Sequence, residues 1–220
     1  MKKELKIRKP IPILLLILLL NGIDLSAQDI ENNFKIRTST ELSFEPIKKL
    51  KLNFIPEFRF DDAFSLDEYL LEGEAVYKPV KFLALGATYR FVADLKKSKD
   101  TEYYNRFAFS VTAKKEFKNL ESAFRLRYTN DADDDIGNIQ FLRYKASLNY
   151  DIPKNKITPF IAVEAFQRLS DGDLYKMRYS TGVDYKLFKK NFIKLSYKLD
   201  YYQKEYKNNH ILSVGYKVKF

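Results

Sequence analysis

Charged residues recur along this chain in pairs two positions apart: Glu57 and Arg59, Glu72 and Glu74, Arg125 and Arg127, Arg143 and Lys145, Lys176 and Arg178, Lys198 and Asp200. Arg90, Arg106, Glu164 and Arg168 stand beside them in similar settings. Three chemistries use such sets. Two neighbouring carboxylates can share a proton and act as acid and base. Rings of charge can select a small polar or anionic solute. Opposite charges can lock together as ion pairs. A spacing of two is also what a pleated strand gives with no chemistry at all, because alternate side chains share a face. Glu72 and Glu74 are therefore weak evidence for catalysis. Both signs occur on the same faces, and an unpaired charge taken out of water costs several kcal/mol. The preferred reading is a charge-paired interior formed by Glu57, Arg59, Glu72, Glu74, Arg90, Arg125, Arg127, Arg143, Glu164 and Arg178. A selectivity lining is the second reading.

Other reactive residues are few. The single histidine, His210, has Ser213 nearby in sequence, but nothing around them resembles a nucleophile elbow. His210 reads as a solvated loop residue near the outer rim. The run Asp131-Ala132-Asp133-Asp134-Asp135-Ile136-Gly137 suggests calcium, but an EF-hand loop needs Gly sixth and Glu twelfth. Ile136 and Leu142 stand there instead, so it reads as an acidic, solvated loop. Cysteine is absent, which removes disulfide and thiol chemistry. No catalytic, cofactor-binding or metal-binding residue is assigned. The chain reads as a non-enzyme, with an outer-membrane lipase or protease, or a surface adhesin, as the alternatives.

The elements that must carry these charges show a second regularity. In Ile193–Tyr201, alternate residues Ile193, Leu195, Tyr197, Leu199 and Tyr201 are apolar or aromatic, and those between are polar. The pattern recurs about eleven times and no helical period competes with it. Strands are expected at 34–46, 50–60, 67–78, 81–92, 102–114, 119–129, 139–151, 157–169, 174–187, 191–203 and 209–220. Each has one greasy and one wet face, the pattern of a transmembrane β-barrel. The fold expected is an all-β, antiparallel, up-and-down barrel of about twelve strands, with ten as the runner-up, since single-chain bacterial barrels are even-numbered. A short closing strand at Gln28–Asn33 supplies the twelfth.

The flanking signals agree with export. Lys2, Lys3, Lys6, Arg8 and Lys9 precede the apolar stretch Ile11–Leu20, and Leu25-Ser26-Ala27 ends in a small residue. Residues 1–27 read as a signal peptide and 28–220 as the barrel domain. Connections after odd strands are short and basic, and those after even strands are mostly longer and, taken together, acidic. This places the short turns and the C-terminus in the periplasm. The formal net charge is +10; in an exported chain that balance does not point to nucleic acid, and no nucleic-acid partner is assigned. The chain holds 16 Tyr and 18 Phe but no Trp, and many lie at strand ends, as in interfacial girdles. Phe141, Phe160, Phe166 and Tyr202 fall on the inner face, too scattered in sequence for a sugar-stacking ladder.

Several segments carry a resemblance: Glu57-Phe58-Arg59-Phe60, Ala87-Thr88-Tyr89-Arg90-Phe91, Arg125-Leu126-Arg127-Tyr128, Leu142-Arg143-Tyr144, and Pro159-Phe160 followed by Glu164-Ala165-Phe166. In this order, over roughly residues 34–220, the chain resembles an uncharacterised outer-membrane barrel family of Bacteroidota, a domain of unknown function. The resemblance implies location and fold but no substrate. The ending Tyr216-Lys217-Val218-Lys219-Phe220 is similar to the terminal signal read by the barrel-assembly machinery, with Tyr216, Val218 and Phe220 as its apolar positions. Expected partners are that machinery, outer-membrane lipid and lipopolysaccharide. The expected role is structural or that of a narrow, porin-like pore.

Overall fold

The computed structural model describes residues 30–95, 100–130 and 139–220, all of them strand or connection. The expected signal peptide and the acidic Asp131–Gly137 run lie outside the described residues. Eleven strands form one closed barrel. They are β1 (Glu31–Ile47), β2 (Leu50–Phe60), β3 (Leu66–Val80), β4 (Leu83–Asp94), β5 (Glu102–Phe117) and β6 (Leu120–Thr129), then β7 (Phe141–Tyr150), β8 (Ile157–Arg168), β9 (Leu174–Phe188), β10 (Asn191–Tyr202) and β11 (Lys207–Lys219). The shortest have 10 residues, enough for a tilted strand to cross a bilayer.

Strands adjacent in sequence pair antiparallel all the way round, and the closure is parallel, β1 against β11. The count lies between the two even numbers expected. Glu31–Asn33, expected in a separate closing strand, instead extends β1 and pairs with Lys207–Asn209. The parallel ladder continues to Ser43↔Lys219. It occupies the backbone N–H and C=O groups of both end strands, which in hydrocarbon would each cost several kcal/mol if left open. A twelfth strand is thus not needed to abolish the edge.

The alternation sets the two faces. On β2, Leu52, Phe54 and Phe58 are exposed, while Asn53 and Arg59, at positions of the opposite parity, are buried. The same holds on β10, where Leu195, Tyr197 and Tyr201 point out and Ser196 and Asp200 are buried. Apolar residues outside and polar residues inside invert the usual soluble arrangement.

One rim carries four two-residue turns, 48–49, 81–82, 118–119 and 189–190, and the connection 151–156; the other carries the loops, none shorter than four residues. Lys49 and Lys118 take positive φ of 76° and 54° in the first and third turns. Long basic side chains stand where glycine is the usual choice.

Candidate functional site

The interior is layered, and the strand register defines the layers. One layer crosses five successive strands through directly paired residues: Arg125, Lys145, Glu164, Arg178 and Asp200. Glu164, 4% exposed, accepts from Arg125 Nη2 at 3.0 Å and lies 2.9 Å from Arg143 Nη2. Arg178 donates through Nε and Nη2 to the two oxygens of Asp200, each at 2.5 Å. This is the two-pronged guanidinium–carboxylate geometry, directional as well as strong. Asp200 also pairs with Lys176 Nζ at 3.1 Å.

The next layer toward the loops runs Arg127, Arg143, Phe166, Lys176 and Tyr202. Arg143 lies over the Phe166 ring at 4.3 Å. Lys176 Nζ sits 4.9 Å from the Phe166 centroid and 4.8 Å from that of Tyr202, whose hydroxyl it also meets at 3.2 Å. Aromatic faces attract cations by their quadrupole, more strongly away from water. Phe141 and Tyr175 complete a buried cluster with Phe166 and Tyr202.

Tyr175 enters that cluster through a bulge. Phe166 pairs with Lys176, and Gln167 with Leu174, so Tyr175 has no opposite residue on β8. The extra residue breaks the alternation locally, and both Tyr175 and Lys176 become buried. Three of the four aromatics that look scattered in sequence, Phe141, Phe166 and Tyr202, thus meet in one place. Phe160 stands apart, over Gly182. A β-carbon on Gly182 would come within 2.8 Å of the Phe160 ring and 2.3 Å of the Leu195 carbonyl oxygen, so only glycine fits.

The opposite wall is rich in acid. Arg59 donates from Nε to Glu57 at 2.7 Å and from Nη1 to Glu68 at 2.9 Å. Arg90 Nε binds Glu72 at 2.8 Å. Glu74 accepts from Asn53 at 2.7 Å, an amide rather than a cation. Of the ten expected interior residues, Glu57, Arg59, Glu72, Arg90, Arg125, Arg143, Glu164 and Arg178 form ion pairs. Arg127 forms none among the described residues, and its Nε is buried without an acceptor. Glu68, Lys176 and Asp200 belong to the same lattice and are absent from the ten. Asp200 and Lys176 were legible as inward positions, but only the register shows that they join.

Toward the turns the interior opens into a cavity of about 760 Å³. Lys186, Lys194, Lys217 and Lys219 line it together with Glu121 and Asp184. Glu121 there accepts from Lys114 at 3.1 Å and from Asn149 at 2.9 Å.

His210 does not sit in a loop. It lies within β11, its ring stacked on Phe34 at 5.2 Å, with Nδ1 2.6 Å from the Tyr197 hydroxyl and Nε2 3.1 Å from Asn32 Oδ1. Ser213 is an odd number of residues away, so the alternation puts it on the other face, inside, opposite Arg37 and Ser196. The two do not form a nucleophile–base pair. At the other end of the same seam, Phe220 stacks on Phe44 at 4.6 Å. Tyr216 points outward and donates to Asn191 at 2.6 Å, and Val218 follows on the same face.

Residues 34–210 match a family model described as a protein of unknown function (DUF2490). The chain belongs to this family. The DUF2490 match begins inside β1 and ends inside β11, so it takes in every interior layer described above. No curated protein is similar enough to this DUF2490 chain to count as a relative.

Proposed function

We propose that this protein is a small outer-membrane barrel of a diderm bacterium whose loop-side interior is closed by its own side chains. Its role is then structural, or that of a pore too narrow for steady current. The observation that carries the reading is the inverted surface: Phe54, Phe58, Tyr89, Phe107, Phe109, Phe124, Ile161, Tyr179, Leu195 and Leu212 are all exposed on the outer face. Water rejects such a continuous apolar wall, and lipid accepts it. The signal-like residues 1–27 and the resemblance to a barrel family of Bacteroidota support export to that membrane. In this reading the short basic turns and the end of β11 face the periplasm, and Tyr216, Val218 and Phe220 meet the barrel-assembly machinery.

Two measurements test it. Cell fractionation is expected to find the mature chain, starting at Gln28, with outer membranes; recovery in the soluble periplasm refutes the location. Planar-bilayer recordings of refolded protein are expected to show little or no steady conductance. A large, stable, anion-selective current would mean that the interior charges line an open path instead.

A further inference from the structure

The basic wall of the interior holds more cations than its carboxylates can serve. Arg125 stands directly opposite Lys145, and Arg127 directly opposite Arg143, on facing positions of β6 and β7. Like charges in direct cross-strand register destabilise a sheet. Here two such pairs are stacked, making a square of four cations. One buried carboxylate, Glu164, reaches Arg125 and Arg143. Among the described residues Arg127 and Lys145 form no ion pair or hydrogen bond. The Nε atoms of both Arg125 and Arg127 are buried and lack an acceptor. A buried N–H left open costs about 1–3 kcal/mol, more on a charged group.

Other cations add to the excess. The charges acting on Lys145 are Glu164, Arg125, Lys194 and Arg143. Those acting on Lys198, from β10, are Arg37, Arg178, Glu57 and Lys145. Those acting on Arg127 are Arg125 and Arg90, opposed by Glu72 and Glu74, neither carboxylate within ion-pair reach. Lys194 belongs both to this group and to the lining of the turn-side cavity. Lys194, paired with Asp184 at 3.7 Å, therefore links the mixed-charge lining of that cavity to the square.

We propose that the square formed by Arg125, Arg127, Arg143 and Lys145 binds a small phosphate-type oxyanion that enters through the turn-side cavity. A doubly charged tetrahedral anion supplies what the square lacks, negative charge and several acceptors, and guanidinium forks match its oxygens. The bound species is a free anion in solution, because the route runs through the interior and not along the lipid face. The inference goes beyond the barrel reading, and its failure would leave that reading standing, since fractionation and conductance test the latter.

The test is calorimetric titration of the detergent-solubilised, refolded chain with inorganic phosphate, at ionic strength held constant with chloride. Saturable binding is expected. The double variant Arg127→Gln/Lys145→Gln is expected to weaken it by at least about tenfold, while its melting temperature without phosphate stays equal to or above that of the wild type. That second readout separates binding from folding, since removing repelling cations cannot cost stability in the empty protein if repulsion prevails there. A short-chain phosphatidate in the micelle distinguishes the source of the phosphate group; it is expected to leave the phosphate titration unchanged. Heat no greater than that from chloride alone, or full binding by the double variant, would overturn the site. Competition by phosphatidate would overturn the route.

Discussion

Along β8 and β9 the inward positions change character from one rim to the other. Toward the loops they are Glu164, Phe166, Lys176 and Arg178, tied to Asp200 and Tyr202 and almost wholly enclosed. Toward the turns they are Thr158, Asp184 and Lys186, which border a cavity. Strand number is the same at both ends, so it does not decide how full the interior is. The difference lies in side-chain size and in how each charge is matched. Toward the loops, aromatic rings beside cations fill the space. Toward the turns the lysines pair with carboxylates along the wall, Lys217 with Glu41 at 2.7 Å and Lys194 with Asp184 at 3.7 Å, and a hollow remains between them.

The contrast breaks most readily at Glu164. Glu164→Ala leaves two arginines short of their shared carboxylate and is expected to cost about 3–5 kcal/mol, as for other broken buried pairs. Glu121→Ala, in the hollow half, is expected to cost about 1 kcal/mol or less. Urea unfolding of both variants in the same detergent checks this. Equal losses would show that the two halves are not energetically distinct.

The outer wall sharpens the comparison, because it is built alike at both ends. Leu195→Arg is expected to destabilise by about 2–4 kcal/mol if Leu195 lies near the bilayer midplane. Lys194→Leu, one residue away but facing the hollow, is expected to change stability far less. Folding into lipid vesicles reads the difference, and similar effects would refute the register.

A smaller effect is expected at the turn-side end of the seam. There the outer face is held by the Phe44–Phe220 stack. A double-mutant cycle of Phe44→Ala and Phe220→Ala should give a coupling of about 0.5–1.5 kcal/mol. A coupling near zero would mean that the stack adds nothing beyond the area each ring covers.

The smallest effect belongs to the loop-side rim. Lys204 hydrogen-bonds Asp173 and holds its carboxyl below the ordinary aspartate range, joining two loops. A lowered pKa stabilises above the ordinary value and loses that contribution as pH falls through the lowered one. The melting temperature of Asp173→Asn should therefore fall slightly below that of the wild type at pH 7, with the gap closing in strong acid. A gap that stayed constant to pH 2 would assign the effect to something other than charge.

Alternation alone places all eleven strands to within a few residues, because greasy and wet faces are written directly into positions such as Ile193–Tyr201. It also places Glu57, Arg59, Glu72, Arg90 and Glu164 inside. What alternation does not contain is register. Arg178 meets Asp200, and Arg125 meets Glu164, only because neighbouring strands slide to one offset among several. The Tyr175 bulge is hidden for the same reason, since one extra residue shifts a ladder without changing composition. The parity of the barrel was hidden too: nothing in Glu31–Asn33 distinguishes a separate strand from the start of β1.

That odd parity reaches into how such a chain can be rebuilt. With β1 and β11 side by side and pointing the same way, the wall starts at one rim and finishes at the other. A linker joining the two ends would have to travel the height of the paired seam, roughly 40 Å at about 3.3 Å per strand residue. Circular permutation, which an even-stranded barrel accepts with a short loop, is closed to this one. Growth by duplicated hairpins adds strands in twos and keeps the count odd. Loss of a single strand would instead bring the ends to the same rim.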